Sequence, residues 1–234
     1  MVVETLPRVV IKFAGDSGDG MQLAGNEFAT DTVLYGNDIA TYPDFPAEIR
    51  APQGTIPGVS GFQLHLGSSE IDSPGDNYDV LVAMNAAALK VNLKHLKKGG
   101  LIIADSAGFE AKNLKLAGFD AQSNPLESDL VKEYRVQVID ISRLTKEALK
   151  HTGLDGKIID RCKNMFVLGY ILWIFNRSTA NVEKDIHRLF SARPQIRDAN
   201  LIALKTGYNF GETTEVAVSK IDVPPAAKAP GVYR

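Results

Sequence analysis

The chain has 234 residues and a mass of 25.4 kDa, with 44% apolar and 23% charged residues. That is a globular composition with enough chain for one sizeable core, and it excludes a disordered or collagen-like protein. Lys and Arg total 26 against 28 Asp and Glu, so a formal charge of −2 gives no general pull toward nucleic acid or an acidic membrane. The single Cys excludes an intrachain disulfide and a cysteine-ligated iron–sulfur cluster held by this chain alone. The four His show no close metal-ligand spacing, so no metal site is expected. The start lacks a basic-then-apolar leader, which makes the cytoplasm the expected location. The longest strongly apolar run, residues 165–175, is too short to span a bilayer.

Residues 9–13 (VVIKF) are rich in β-branched side chains and predict a strand that ends at Gly15. Residues 14–20 form a Gly-Asp-Ser turn, and residues 21–35 predict a buried, alanine-rich helix. A short strand follows at 38–42. Residues 43–58 carry too many prolines and glycines for a regular helix. Residues 59–66 alternate as a sheet strand does, and 79–84 form a short apolar strand. Residues 86–96 predict a helix closed by Lys97, Lys98 and Gly99, ahead of a buried-type strand at 100–104.

Residues 109–129 have mixed polarity and no readable period. A strand at 134–139 is followed by a helix start with Ser142 as its cap. The last third is helical: a hydrophobic core helix at 164–175, a helix at 182–190 behind an Asn181 cap, and a helix from Pro194 to about Tyr208. The alternation predicts an α/β fold, an open, mostly parallel Rossmann-like sheet with flanking helices and a helical C-terminal part. Its strand order is open. Residues 1–221 are read as one domain, and the Pro/Ala-rich 222–234 as a linker or extended arm.

The stretch Gly15-Asp16-Ser17-Gly18-Asp19-Gly20 lies between a strand and a helix. Glycine lets backbone approach a ligand, and a helix start offers free N–H groups, so a phosphate could be cradled there. The order Gly-x-x-Gly-x-Gly differs from the dinucleotide fingerprint, and no Lys-Ser or Lys-Thr follows as in a nucleotide-binding P-loop. Asp16 and Asp19 would repel a phosphate without an intervening cation. A tight turn whose aspartates cap the helix explains the pattern equally well. Gly18-Asp19-Gly20 also invites comparison with thiamine diphosphate enzymes, in which an asparagine further along helps to hold magnesium. None stands at the corresponding place, residues 45–48, and Asn37 comes too early.

Residues 42–50 (YPDFPAEIR) form a breaker-rich loop in which Arg50 can grip a phosphate or carboxylate, or pair with Glu48 or Asp44. Tyr42 and Phe45 are read as core plugs or as contacts to a partner domain. His65 lies in a strand pattern as a packed or surface side chain. Cys162, between Arg161 and Lys163, reads as an ordinary buried thiol. Asp105-Ser106 ends a strand, where open α/β sheets place ligand contacts or helix caps.

Three runs, FAGDSGDGMQLAG at 13–25, YPDFPAEIRAPQGT at 42–55 and GVSGFQ at 58–63, strongly resemble the gamma-type domain of 2-oxoacid:ferredoxin oxidoreductases. The likeness is greatest to the N-terminal domain of the alpha subunit in the 2-oxoglutarate branch, and covers roughly residues 8–220. Many gamma domains have Gly and Gln where Ser17 and Asp19 stand here. The resemblance implies a part in the reversible, coenzyme A-dependent oxidative decarboxylation of 2-oxoglutarate to succinyl-CoA. In that family, coenzyme A lies at a shared site over which the gamma domain closes. Thiamine diphosphate, Mg2+ and iron–sulfur clusters are implied in partner parts: a thiamine-binding alpha domain and an iron–sulfur beta subunit, with ferredoxin as electron partner. The isolated chain is then expected to be inactive. Expected coenzyme A contacts are Gly15, Asp16, Ser17, Gly18, Asp19, Gly20, Tyr42 and Arg50, with no catalytic side chain. The alternatives are a docking module without ligand contact and the same role toward pyruvate or another 2-oxoacid. An independent NAD enzyme is disfavoured by the glycine order.

Overall fold

The computed structural model describes residues 2–48, 51–214 and 219–227. In chain order the elements are β1 (Val3–Thr5), β2 (Arg8–Asp16), α1 (Met21–Tyr35), β3 (Asp38–Asp44), β4 (Val59–Gly67), β5 (Tyr78–Ala83), α2 (Ala86–Asn92) and β6 (Leu96–Asp105). There follow α3 (Ala111–Leu116), β7 (Arg135–Ile139), α4 (Ile141–Leu149), α5 (Gly156–Arg161), α6 (Lys163–Ile174), α7 (Ala180–Leu189), α8 (Pro194–Thr214) and β8 (Lys220–Asp222). Six strands form one sheet in the order β3-β4-β2-β5-β6-β7. β2, β5, β6 and β7 run parallel, while β4 is antiparallel to both β2 and β3. The fold is therefore α/β with a mixed, mostly parallel sheet and a helical C-terminal region. The single reversal comes from the long 45–58 connection, which returns the chain between β3 and β2.

β2 is buried on both faces. Val9, Ile11 and Phe13 join a core with Phe28 of α1 and the side chains of α6. Val10 and Ala14 join a second core with Leu81, α2 and α3. This two-sided burial explains why VVIKF reads as a continuous apolar run. Lys12 shares the second face, only 2% exposed, with its Nζ 2.8 Å from Asp44 Oδ2.

α6 is buried nearly all round, as its unbroken apolar sequence requires. It packs on α8 through glycines: a Cβ at Gly169 would lie 2.0 Å from the Leu204 carbonyl oxygen, and one at Gly207 would lie 1.9 Å from that of Phe166. α8 runs six residues beyond the expected end near Tyr208, to Thr214, and in that extension a Cβ at Gly211 would lie 2.3 Å from the Trp173 ring.

Three local expectations need correction. The helix expected to 96 ends at Asn92, and Lys97, Lys98 and Gly99 belong to β6, because Leu96 already pairs with Tyr78. Asp140, not Ser142, caps α4; its carboxylate accepts the Arg143 N–H, while Ser142 turns to Asp105. Asn181 lies inside α7 and donates to Asp31 at 3.0 Å, leaving Thr179 at the cap position. The unreadable 109–129 stretch holds α3 and two single 3-10 turns, too short to show a period.

The expected boundary between 221 and 222 falls within β8, which pairs parallel with β1. Residues 223–225 then lie on the body, with Val223 fully buried. No helix among the described residues is long and apolar enough to cross a membrane.

Candidate functional site

The parallel strands all point to one edge of the sheet, and the turns that leave β2, β5, β6 and β7 gather there. That edge is where open α/β sheets bind ligands, because the turns part and leave backbone and strand-end side chains facing a crevice. A cleft of about 630 Å³ occupies it, within the usual range for small-molecule sites. Asp16, Gly18 and Asp19 come from the β2–α1 turn, Asn85 from the end of β5, Asp105 from β6, and Ser142 and Lys146 from α4. Lys157 and Arg161 of α5 and Lys163 at the start of α6 complete its basic side.

The β2–α1 turn is fixed by its aspartates. Asp19 Oδ2 accepts the Asp16 N–H at 2.8 Å, and Asp19 Oδ1 lies 2.7 Å from Lys163 Nζ. Asp16 accepts the Gly54 N–H at 2.9 Å, pinning the loop ahead of β4. Gly20 caps α1 with φ +72 and no side-chain bond, and a Cβ there would crowd Asn164 Nδ2. The aspartates thus close the turn and do not cap the helix. Both Asp19 oxygens are engaged within the protein, one by the Asp16 N–H and the other by Lys163.

Burial raises the Asp16 carboxyl above its ordinary range, opposed by the Gly54 N–H and reinforced by Asp19. Burial likewise raises Asp105, opposed by hydrogen bonds from the Ser142 hydroxyl at 2.6 Å and its N–H at 3.2 Å, and by Lys163. For Lys163 burial works against the charge, but Asp19, Asp105 and Asp160 more than offset it and the net shift is upward. Lys146 pairs with Asp160 at 3.1 Å. Lys157 and Arg161 make no ion pair among the described residues.

Of the residues singled out from sequence, Asp16, Gly18 and Asp19 line the cleft, while Gly15 is buried beneath Asp19, Ser17 is exposed and Gly20 is half-buried against Asn164. Tyr42 lies elsewhere, on edge strand β3, with its ring 5.9 Å from Lys12 Nζ. It is 55% exposed and Phe45 72%, so neither is a core plug. Arg50 lies outside the described residues. Asp105 is in the cleft, as its strand-end position suggests. Sequence reasoning misses Lys146, Lys157 and Arg161, whose only signal is basic residues in the two short helices after β7. Cys162 is 2% exposed and burial pushes its thiol up to about 11, an inert core thiol.

Residues 10–210 match the family described as Pyruvate ferredoxin/flavodoxin oxidoreductase. The chain is 47% identical over 231 residues to the 2-oxoglutarate oxidoreductase subunit KorA of Mycobacterium tuberculosis, covering 99% of this chain and 35% of that protein. It is 26% identical over 204 residues to the ketoisovalerate oxidoreductase subunit VorA of Methanothermobacter marburgensis, covering 86% of this chain and 36% of that one. The chain thus spans about a third of the length of these curated relatives. Among solved structures, the 2-oxoglutarate:ferredoxin oxidoreductase of Magnetococcus marinus, described with 2-oxoglutarate, coenzyme A and succinyl-CoA bound, shares the fold at a TM-score of 0.71 and 24% identity, over 96% of this chain and 34% of that chain. The pyruvate oxidoreductase subunit PORC of Thermotoga maritima shares it at 0.57 and 19% identity, over 87% and 97%. With the family match running through both the β2–α1 turn and the α6 core, this chain belongs to the pyruvate ferredoxin/flavodoxin oxidoreductase family.

Proposed function

We propose that this chain is the gamma-type part of a 2-oxoglutarate:ferredoxin oxidoreductase, and that its cleft takes part of coenzyme A in the reversible conversion of 2-oxoglutarate to succinyl-CoA. The observation that carries this reading is the pair of exposed cations, Lys157 and Arg161, without ionic partners among the described residues on the edge of a strand-end cleft. Coenzyme A is a polyanion joined to uncharged adenine and pantetheine, and such a cleft offers both free positive charge and polar acceptors. The 47% identity to a 2-oxoglutarate oxidoreductase subunit favours this branch over pyruvate.

In this reading the chain holds and orients the acyl acceptor and helps to exclude water, which is catalysis by proximity. Thiamine diphosphate, Mg2+ and the iron–sulfur clusters belong to a thiamine-binding alpha domain and an iron–sulfur beta subunit, which pass electrons to ferredoxin. The exposed Tyr42, Phe45 and Ile56 suit contact with such a partner, so a docking role accompanies the ligand role. The glycine turn borders the ligand through Asp16, Ser17 and Gly18, and Arg50, outside the described residues, is a further candidate contact.

The test is to purify the protein natively with the chains that accompany it and titrate it with coenzyme A by calorimetry. Co-purification of thiamine- and cluster-bearing chains, with saturable binding, supports the reading. No coenzyme A binding, or a different set of partners, overturns it. Unchanged affinity in Ser17→Ala and Arg50→Ala would remove those two side chains from the site.

A further inference from the structure

The cleft is sorted by charge. Lys157 and Arg161 stand exposed on the α5 side, unpaired among the described residues. Lys146 is beside them, and its contact to Asp160 is exposed on both sides, so an incoming anion competes for it at little cost. The floor is different. Asp19 and Asp105 are 7% and 1% exposed, and Asp16 is half-buried between them and Gly54. Against these three carboxylates stands one ammonium, Lys163, already 2.7 Å from Asp19.

A phosphate at the glycine turn would meet an excess of negative charge where the dielectric is low and repulsion is strong. The N–H groups that a phosphate cradle needs are also partly taken, since the Asp16 N–H points to Asp19 and the Gly54 N–H to Asp16. A carboxylate has about four lone-pair sites, so Asp16, which takes the Gly54 N–H and the Asn85 side chain, and Asp105, which takes the Ser142 hydroxyl and N–H and the Ala107 N–H, can each still accept from a ligand.

Resting on the coenzyme A reading, we infer that the ligand lies with its phosphates on the Lys146, Lys157 and Arg161 side, and that the glycine-turn floor takes an uncharged segment donating hydrogen bonds to Asp16 and Asp105. The turn is then an acceptor surface and not a phosphate cradle.

Calorimetry on the natively purified protein tests it, with coenzyme A titrated across a range of salt concentrations and uncharged pantetheine as a second probe. Lys157→Gln and Arg161→Gln are exposed changes that should leave thermal unfolding unaltered. Each should weaken coenzyme A by about tenfold and flatten its salt dependence, while any pantetheine binding stays the same. Asp16→Asn should leave coenzyme A equal or weaker. The inference is overturned if both cation variants bind like the native protein with the same salt slope. It is also overturned if Asp16→Asn tightens coenzyme A severalfold, since that result places a phosphate on the floor. Native protein that binds no coenzyme A overturns the parent reading along with this one, whereas salt-sensitive native binding with indifferent cation variants overturns this one alone.

Discussion

The ammonium of Lys163 and the carboxylate of Asp19 lie 2.7 Å apart, with side chains 20% and 10% exposed, and through that contact the first residue of α6 holds the turn between β2 and α1. From Asp19 the chain of bonds continues to the Asp16 N–H and from the Asp16 carboxylate to Gly54. One ion pair therefore ties the helical C-terminal region to the cleft floor and to the loop ahead of β4.

Removing one partner of a largely buried pair leaves the other charge without compensation, at a cost of about 3 kcal/mol. Asp19→Ala should lower stability by about that amount, because it also frees the Asp16 N–H. Asp19→Asn keeps an acceptor for that N–H and should cost less. Urea unfolding monitored by circular dichroism measures both; a midpoint for Asp19→Ala equal to that of the native protein would rule out this role.

Much of this arrangement is legible in the sequence because a short run dictates each part. VVIKF reads as β2 since both faces are buried, and Gly20 marks the start of α1 since that position has φ +72. The apolar run at 165–175 reads as core because the sheet and α8 together surround it. What is not legible comes from partners distant in sequence. Lys163 and Asp19 are 144 positions apart, and nothing local in either reveals the pair. The antiparallel placement of β4 is hidden for the same reason: its alternation shows a strand but not a direction. Ser142 looks like a cap because its segment begins a helix, yet its hydroxyl is 2.6 Å from Asp105 on another strand.

The buried carboxyl of Asp105 sets a pH dependence whose sign follows from its raised pKa. Between the ordinary value of 3.8 and the higher folded value, the folded chain binds more protons than the unfolded one. Stability from this group therefore falls as pH rises through that window, and the cost of burying the ionised form is complete above it. Asp105→Asn retains an acceptor for Ser142 and carries no charge. Its melting temperature relative to the native protein should rise as pH goes from about 4 to about 7. Melting curves across that range check it, and a difference that narrows or stays flat would contradict the sign.

The crossing of α6 and α8 has no room for a methyl group. A Cβ at Gly207 would meet the Phe166 carbonyl oxygen at 1.9 Å, so Gly207→Ala must force the helices apart. Overpacking of this kind costs about 1–3 kcal/mol, and here the obstacle is backbone, which cannot rotate away. A Cβ at Gly156, at the start of α5, would have nothing within 4 Å, so Gly156→Ala should be neutral or stabilise by about 0.5 kcal/mol. Parallel denaturant titrations of the two variants should move in opposite directions or leave only Gly207→Ala changed; equal losses would show that the crossing is not the cause.

Asn37 clasps the segment after β8 to the body. Its side chain is 1% exposed, and Nδ2 lies 2.7 Å from the Pro224 carbonyl oxygen and 3.2 Å from that of Val223. Its Oδ1 accepts from Arg177 Nη2, and the Arg177 guanidinium carbon lies 3.3 Å from the centroid of the Tyr35 ring. Arg177 is itself 3% exposed and has one terminal nitrogen without a partner, so Asn37→Ala would leave a buried cation short of a second acceptor. A lost hydrogen bond to a charged group costs about 2 kcal/mol, and the freed carbonyls of Gly67, Val223 and Pro224 add to it. The Ala226 N–H, bonded to the Gly36 carbonyl oxygen at 2.9 Å, reports on the clasp directly. In Asn37→Ala its hydrogen exchange should accelerate by at least about tenfold while the amides of β5 and β6 keep their protection. Uniform acceleration across all three would mean that Asn37 supports global stability instead, and no change at Ala226 would mean that the segment is held by Val223 packing alone, a side chain fully buried in the first core.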